Sequence, residues 1–365
     1  MISIISTIFL VYFVGIIYVW KAWVKLPYLS KLHDLEHKIS VIVAVRNEAS
    51  NVLRLLASLE NQNYTNYEVI IIDDHSEDDT LILIRRFEFE KLTVLQAEGQ
   101  GKKTAIEQAI GVAKGDILAF TDGDCTVGED WLGAINAYFI ESNKIIGCGP
   151  VSFKECDSTF KKLQQIEFVS LIGTGAAFLS LQKPTMCNGA NLFYKKSLFS
   201  EVGGFEGNTH LASGDDEFIL HKVEKLYPGK SGFLKDERAI VSTYPKENIQ
   251  DFVAQRKRWS SKWKHYKNRM STLLAPSVFV ANMAVLFAFI YMFVELKYFL
   301  YLFSLIGMKY IVEFWFLQSV HRFLYDKKLS EPYFAIMFIL YPFYTLYFGL
   351  QSGNKKYIWK DREVN

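Results

Sequence analysis

The chain has 365 residues, 50% of them hydrophobic and 15% aromatic, with a formal net charge of +2. So small a charge excludes a nucleic-acid footprint spread over the whole chain. Its four cysteines, Cys125, Cys148, Cys156 and Cys187, show no CxxC spacing, which argues against a zinc site or a disulfide framework and for reduced thiols.

Ile2 to Trp20 is uncharged, almost wholly apolar and long enough to span a bilayer. It lacks the basic start and small-residue cleavage site of a secretory signal, so residues 1–24 are expected to be a retained anchor. Lys21, Lys25 and Lys31 follow it and predict that the next segment is cytoplasmic. An integral protein of a bacterial inner membrane is the expectation.

Residues 25–254 read as a catalytic α/β domain. Ser40–Val45 is a predicted strand and Asn47–Gln62 a helix. Val69–Ile72 is a strand ending in Asp73-Asp74, and Thr80–Glu90 a helix. Leu92–Gln96 is a short strand, Lys103–Ala113 a helix, and Ile117–Phe120 a strand running into Asp122-Gly123-Asp124. The alternation predicts a parallel sheet with right-handed crossovers. Ligands of such sheets bind at the C-terminal ends of strands, and here two strands end in acids. Carboxylates so close repel each other, and a hard divalent cation with a phosphate is the common compensation. A surface turn is the competing reading of one isolated pair.

No GxGxxG follows the first strand, and Gly99-Gln100-Gly101-Lys102 lacks the Walker spacing, which argues against a nucleotide cofactor of the dehydrogenase type and against a P-loop. Lys102 and Lys103 at a helix start can meet a phosphate or form a solvated helix end. Phe168–Gln182 is apolar but too short to span easily, and it is expected to face the membrane near a lipid acceptor, with a core helix as the alternative.

Residues 255–272 form an expected interfacial helix region, in which 255–269 combine seven Lys or Arg with Trp259 and Trp263 on one face. Lys262, Lys264 and Lys267 are expected to meet lipid headgroups. Residues 273–350 read as a membrane block with apolar stretches Pro276–Val294, Tyr298–Gln318 and Tyr333–Leu350. Lys309 and Glu313 lie four apart within it and can pair. His321-Arg322 and Lys327-Lys328 predict a cytoplasmic loop. Residues 351–365 are a basic tail. Either the last stretch is a bent re-entrant hairpin that keeps this tail inside, or it crosses against the charge rule.

The motifs form an ordered set. Val41–Glu48 (VIVAVRNE), Asp73-Asp74-His75-Ser76 with Asp78 and Thr80, and Gly101-Lys102-Lys103-Thr104-Ala105 come first. Asp122-Gly123-Asp124, Asn188-Gly189-Ala190-Asn191, Gly203-Gly204-Phe205, Gly214-Asp215-Asp216 and Gln255-Arg256-Lys257-Arg258-Trp259 follow. Together they resemble the membrane-bound branch of the family 2 glycosyltransferases, inverting nucleotide-sugar enzymes that include ceramide glucosyltransferases and cellulose, chitin and hyaluronan synthases. The last motif matches that branch's QxxRW.

The resemblance implies a GT-A, Rossmann-like domain with a mixed sheet, flanked by N- and C-terminal transmembrane helices. It implies that Val45, Glu48, Asp73, Asp74, Lys102 and Asp122 bind the donor. Asp124 and Asp122 would hold a divalent cation, Mn or Mg. Asp216 would be the catalytic base with Asp215 beside it, although acids in a helix's first turn also suit the dipole. Gln255, Arg256, Arg258 and Trp259 would serve diphosphate and acceptor. The implied activity is metal-dependent transfer from a nucleotide sugar, expected to be a UDP-sugar, to a membrane lipid with a β-glycosidic product. About three spans after the domain make a thin wall for an export pore, so a processive polysaccharide synthase is the alternative. Asp122 to Thr126 also reads as DxDxT, the nucleophile motif of haloacid-dehalogenase-like phosphatases, a remote alternative.

Overall fold

The structure, a computed structural model, describes residues 1–34, 36–207, 214–261, 269–351, 357–359 and 362–364. In chain order the elements are α1 (Ile2–Lys25), β1 (Ile39–Val45), α2 (Val52–Glu60), β2 (Tyr67–Asp73), α3 (Thr80–Arg86), β3 (Leu92–Gln96), α4 (Lys102–Val112) and β4 (Ile117–Phe120). Then come α5 (Trp131–Glu141), β5 (Ile146–Cys148), β6 (Val151–Phe153), α6 (Thr159–Ser180), β7 (Leu192–Lys195), α7 (Lys196–Glu201), α8 (Glu217–Leu226), β8 (Ser231–Phe233) and β9 (Val241–Thr243). The last are α9 (Ile249–Ser261), α10 (Arg269–Val294), α11 (Phe299–Tyr325), α12 (Glu331–Gln351), β10 (Tyr357–Trp359) and β11 (Arg362–Val364).

Two compact units result. The first comprises Leu26–Glu155 and Leu179–Tyr244 and contains the main sheet. Its seven strands run in the order β3-β2-β1-β4-β7-β5-β8. β1 pairs in parallel with β2 and β4, and β2 with β3, whereas β7 is antiparallel to both β4 and β5. The sheet is therefore mixed. Its central strands are continuous apolar runs because helices cover both faces; Val41, Val43, Val69, Ile71, Leu118 and Ala119 are fully buried. Val45 stands opposite Asp73 across β1 and β2, so the ends of these strands share one edge.

The helix expected over Asn47–Gln62 is shorter, Val52–Glu60. Asn47 has φ of +51°, outside the helical region. The next backbone N–H groups are claimed by distant side chains. Asn47 N–H donates to Ser76 Oγ at 3.0 Å, Glu48 N–H to Thr80 Oγ1 at 2.7 Å and Ala49 N–H to Asp78 Oδ2 at 3.1 Å. Ser76, Asp78 and Thr80 thus pin the loop after β1.

The second unit comprises Met1–Lys25, Cys156–Phe178 and the chain from Pro245 through α12. Among the described residues four helices are long and apolar enough to cross a membrane: Ile2–Lys25, Met270–Val294, Leu296–Tyr325 and Glu331–Leu350. α1 packs on α10 and α11, and α12 on α10 and α9. Ile5, Phe9, Ala284, Val285, Ala288, Met292 and Leu302 form one apolar cluster there. Lys309 Nζ donates to Glu313 Oε1 at 2.7 Å, and the Tyr12 hydroxyl donates to the same oxygen, which neutralises a buried lysine. α12 is one continuous helix through Pro342 rather than a re-entrant hairpin. Lys262, Trp263, Lys264 and Lys267, and Lys355 in the tail, lie outside the described residues.

The apolar run from Phe168 corrects another expectation. Phe168, Val169, Ile172, Ala176 and Ala177 are buried, so this part of α6 is core rather than membrane-facing. A Cβ at Gly173 would stand 2.6 Å from Val320 Cγ2, so the glycine lets α11 approach closely.

Candidate active site

Three of the acidic segments meet at the C-terminal edge of the sheet. Asp73 ends β2 and is 2% exposed. Its Oδ2 accepts the Ser76 N–H at 3.2 Å, while Oδ1 is buried without a hydrogen-bond partner among the described residues. A buried oxygen left in this way is costly unless a ligand N–H or O–H reaches it. Asp74 differs: its carboxylate accepts the Gly101 N–H at 3.1 and 3.2 Å and so braces the turn into α4.

Beyond β4, Gly123 lies against the loop after β1. A Cβ there would stand 2.9 Å from Glu48 Cγ and 3.0 Å from Val45 Cγ1. Only glycine lets the acid pair approach Val45 and Glu48 so closely. Ligand atoms of Asp122, Asp124 and Cys125 lie within 4.8 Å of one another. Burial, followed by the charges of Asp124 and Asp122, pushes the Cys125 thiol well up, so it stays protonated. Two neighbouring carboxylates suit a hard, oxygen-seeking cation such as Mg or Mn.

Lys102, the first residue of α4, joins the acids. Its Nζ is 2.8 Å from Asp122 Oδ1 and 3.1 Å from Asp215 Oδ2. Burial alone would discharge the amine, but Asp122 and Asp215 outweigh it and hold its pKa above the ordinary lysine value. Lys103 turns the other way and lies 5.3 Å over the Phe218 ring.

Gly214 has φ of +85°, and a Cβ there would stand 2.6 Å from Phe218 Cε2. This turn delivers Asp215 to Lys102 and Asp216 to the N-cap of α8. Asp216 is 9% exposed; its Oδ1 accepts the Glu217 N–H at 2.8 Å and its Oδ2 the Gly189 N–H at 3.0 Å. Asn188 Oδ1 accepts the Ala190 N–H at 3.0 Å and shapes that loop. Asn191 is structural: its amide donates to the Pro150 and Ala239 carbonyls at 2.8 Å each, and its oxygen accepts from Trp131 Nε1 at 3.1 Å. No sequence spacing reports the clamp of Gly189 on Asp216, a bond between two loops.

Gln255, Arg256, Arg258 and Trp259 lie on α9, in the second unit. Arg256, expected to serve diphosphate or acceptor, turns inward. It is 3% exposed, and its Nε donates to Glu167 Oε1 and Oε2 at 3.0 and 3.1 Å. Tyr344 Oη donates to Glu167 Oε1 at 2.9 Å, and Gln255 accepts from Arg256. The guanidinium stands 4.3 Å from the Trp259 ring centroid, so Arg256 supports the motif from within. Arg258 and Trp259 are partly exposed.

Comparison with known proteins places the sheet. Residues 40–203 match the sequence model of the family described as Glycosyl transferase family 2. The glycosyltransferase AglE of Haloferax volcanii is 31% identical over 192 residues, 49% of this chain and 58% of that protein. The beta-monoglucosyldiacylglycerol synthase of Trichormus variabilis is 38% identical over 101 residues, 26% of this chain and 22% of that protein. The chain thus spans less than two thirds of either curated relative. The mannosyltransferase PcManGT of Pyrobaculum calidifontis, solved with GDP-Man and Mn2+, superposes with a TM-score of 0.57 over 96% of this chain and 98% of its own, at 18% identity, which shows a shared fold. Residues 40–203 therefore match the family 2 glycosyl transferase model and belong to a GT-A-like fold with a mixed sheet, in a chain whose terminal helices suit a membrane.

Proposed function

We propose that the chain is an inverting glycosyltransferase that moves a sugar from a nucleoside diphosphate to a membrane lipid. The observation that carries this reading is the meeting of Asp122, Lys102 and Asp215 at one strand edge, drawn from three separate segments. The buried Asp73 Oδ1 supports a nucleobase N–H as its partner, such as that of uracil. Asp122 and Asp124 would hold the divalent cation. Bound there, it would neutralise charge developing on the leaving diphosphate.

Asp216 takes the proton of the acceptor hydroxyl, with its carboxylate oriented by Gly189 and Glu217. Attack opposite the leaving group inverts the anomeric carbon, so an α-linked donor yields a β-glycoside. From the QxxRW resemblance, Arg258 is assigned to the diphosphate and Trp259 to the acceptor. The four apolar helices, with Lys21 and Lys25 at the end of α1 and Lys31 beyond it, support an integral protein with a cytoplasmic catalytic domain.

The test is incubation of the purified chain in lipid vesicles with labelled UDP-sugars, GDP-sugars and Mn or Mg. Labelled organic-phase product with matching nucleoside diphosphate release is expected. A growing water-soluble polymer, or phosphate released from a phosphomonoester, would overturn the proposal.

A further inference from the structure

Lys102 occupies an unusual place for a lysine. It opens an 11-residue helix, where the dipole disfavours a cation and favours an anion. The acids explain its position: Asp122 Oδ1 at 2.8 Å and Asp215 Oδ2 at 3.1 Å. Asp122 is also one of the two carboxylates suited to a divalent cation. The ammonium and such an ion therefore compete for the same carboxylate. Lys102 keeps 21% of its side chain exposed, so its ammonium lies at the solvent edge of the site, whereas Lys103 is buried.

We infer that Lys102 is a built-in counter-cation that keeps a divalent ion off Asp122 until a nucleoside diphosphate arrives, so that metal and donor bind cooperatively. This rests on the proposed donor class. Like charges sharing one carboxylate in a part-buried site oppose each other strongly. A diphosphate at the head of α4 offers new anionic oxygens to both cations. The ammonium then moves from Asp122 to the phosphates, and Asp122 is released to the metal. By reciprocity, each ligand raises the affinity of the other by the same factor.

The test measures Mn2+ binding by electron paramagnetic resonance on the full chain in lipid nanodiscs, with and without UDP or GDP. Wild type, Lys102→Met, Lys102→Gln and Lys102→Arg are compared, and each is checked for folding by thermal melting. In wild type, a nucleoside diphosphate tightens Mn2+ binding by about tenfold or more. Lys102→Met and Lys102→Gln tighten nucleotide-free Mn2+ binding by about tenfold and lose most of the nucleotide effect. Lys102→Arg keeps the wild-type pattern. Folded Met or Gln variants with unchanged nucleotide-free affinity would overturn the inference while leaving the donor class intact. Failure of wild type to bind either nucleotide would instead sink the functional reading, and this inference with it.

Discussion

The backbone N–H of Gly189 donates to Asp216 Oδ2 at 3.0 Å, so the loop before β7 grips the carboxylate that caps α8. That bond and the one from the Glu217 N–H fix the orientation of the carboxylate. Asp216→Asn keeps much of the cap and removes the base. Transfer at saturating donor is expected to fall about 10²–10⁴-fold with little change in Tm. Asp216→Ala should be equally inactive and lose about 1 kcal/mol more through the cap. An Asn variant that retains wild-type kcat would move the base elsewhere.

Gly123→Ala tests the close approach of the acid pair to the loop after β1. The new methyl would meet Glu48 Cγ at 2.9 Å and Val45 Cγ1 at 3.0 Å. Overpacking of this kind costs about 1–3 kcal/mol. The strain should also displace Asp122 and Asp124, raising KM for the donor more than it lowers Tm. Unchanged donor KM would show that the loop yields without moving the acids.

Asp124→Ala is expected to abolish Mn- or Mg-dependent transfer while the protein still inserts and melts like wild type. Asp124 engages Cys125 Sγ at 3.7 Å and carries no ion pair among the described residues, so its removal leaves no buried charge behind. Full transfer by this variant, assayed with added Mn, would refute the cation assignment.

The strands β1, β2 and β4 and the acids after them are readable because continuous apolar runs report buried strands directly. Leu92–Gln96 and Ile117–Phe120 fall where the sequence predicts them. Local periodicity reads Asn47–Asn51 as helix, whereas the N–H groups of Asn47, Glu48 and Ala49 go to Ser76, Thr80 and Asp78 in a later segment that periodicity does not sample. The far half of the sheet was not foreseen, since three-residue strands such as Ile146–Cys148 and Ser231–Phe233 are too short to show a period. Motif spacing identified the acids but not their pairing, which is why Lys102 was placed near phosphate without its bridge to Asp215.

Glu141 gives a pH dependence. Burial alone would raise its carboxyl, but bonds from Ser30 Oγ, Ser30 N–H, His33 and Lys31 N–H outweigh it and hold the pKa at about 2, below the usual 4.5. A depressed carboxyl stabilises the fold above its unfolded value, and that contribution is lost as pH falls from about 4.5 toward 2. Glu141→Gln should flatten the acid limb of the Tm profile and speed amide exchange at Ser30 and Lys31 at neutral pH. An unaltered acid limb would show that Glu141 does not anchor this segment.

The last test concerns Arg256, which the structure buries against Glu167. The resemblance gives it to diphosphate or acceptor; the structure gives its guanidinium to Glu167, 4% exposed, with Tyr344 on the same carboxylate. Removing one partner of a buried pair strands the other, at about 3–5 kcal/mol. Glu167→Gln and Arg256→Met should each lower Tm sharply, and transfer would fall with either for want of folded protein. The pair Glu167→Leu with Arg256→Met removes both charges together, and such replacements are often neutral in stability. Its Tm should recover most of the loss. If Arg256 acts by supporting Trp259 and the turn of α9, transfer recovers with the fold, and donor KM returns to near the wild-type value. A stable double variant that binds donor poorly would return Arg256 to the diphosphate, because no loss of packing would then explain the defect.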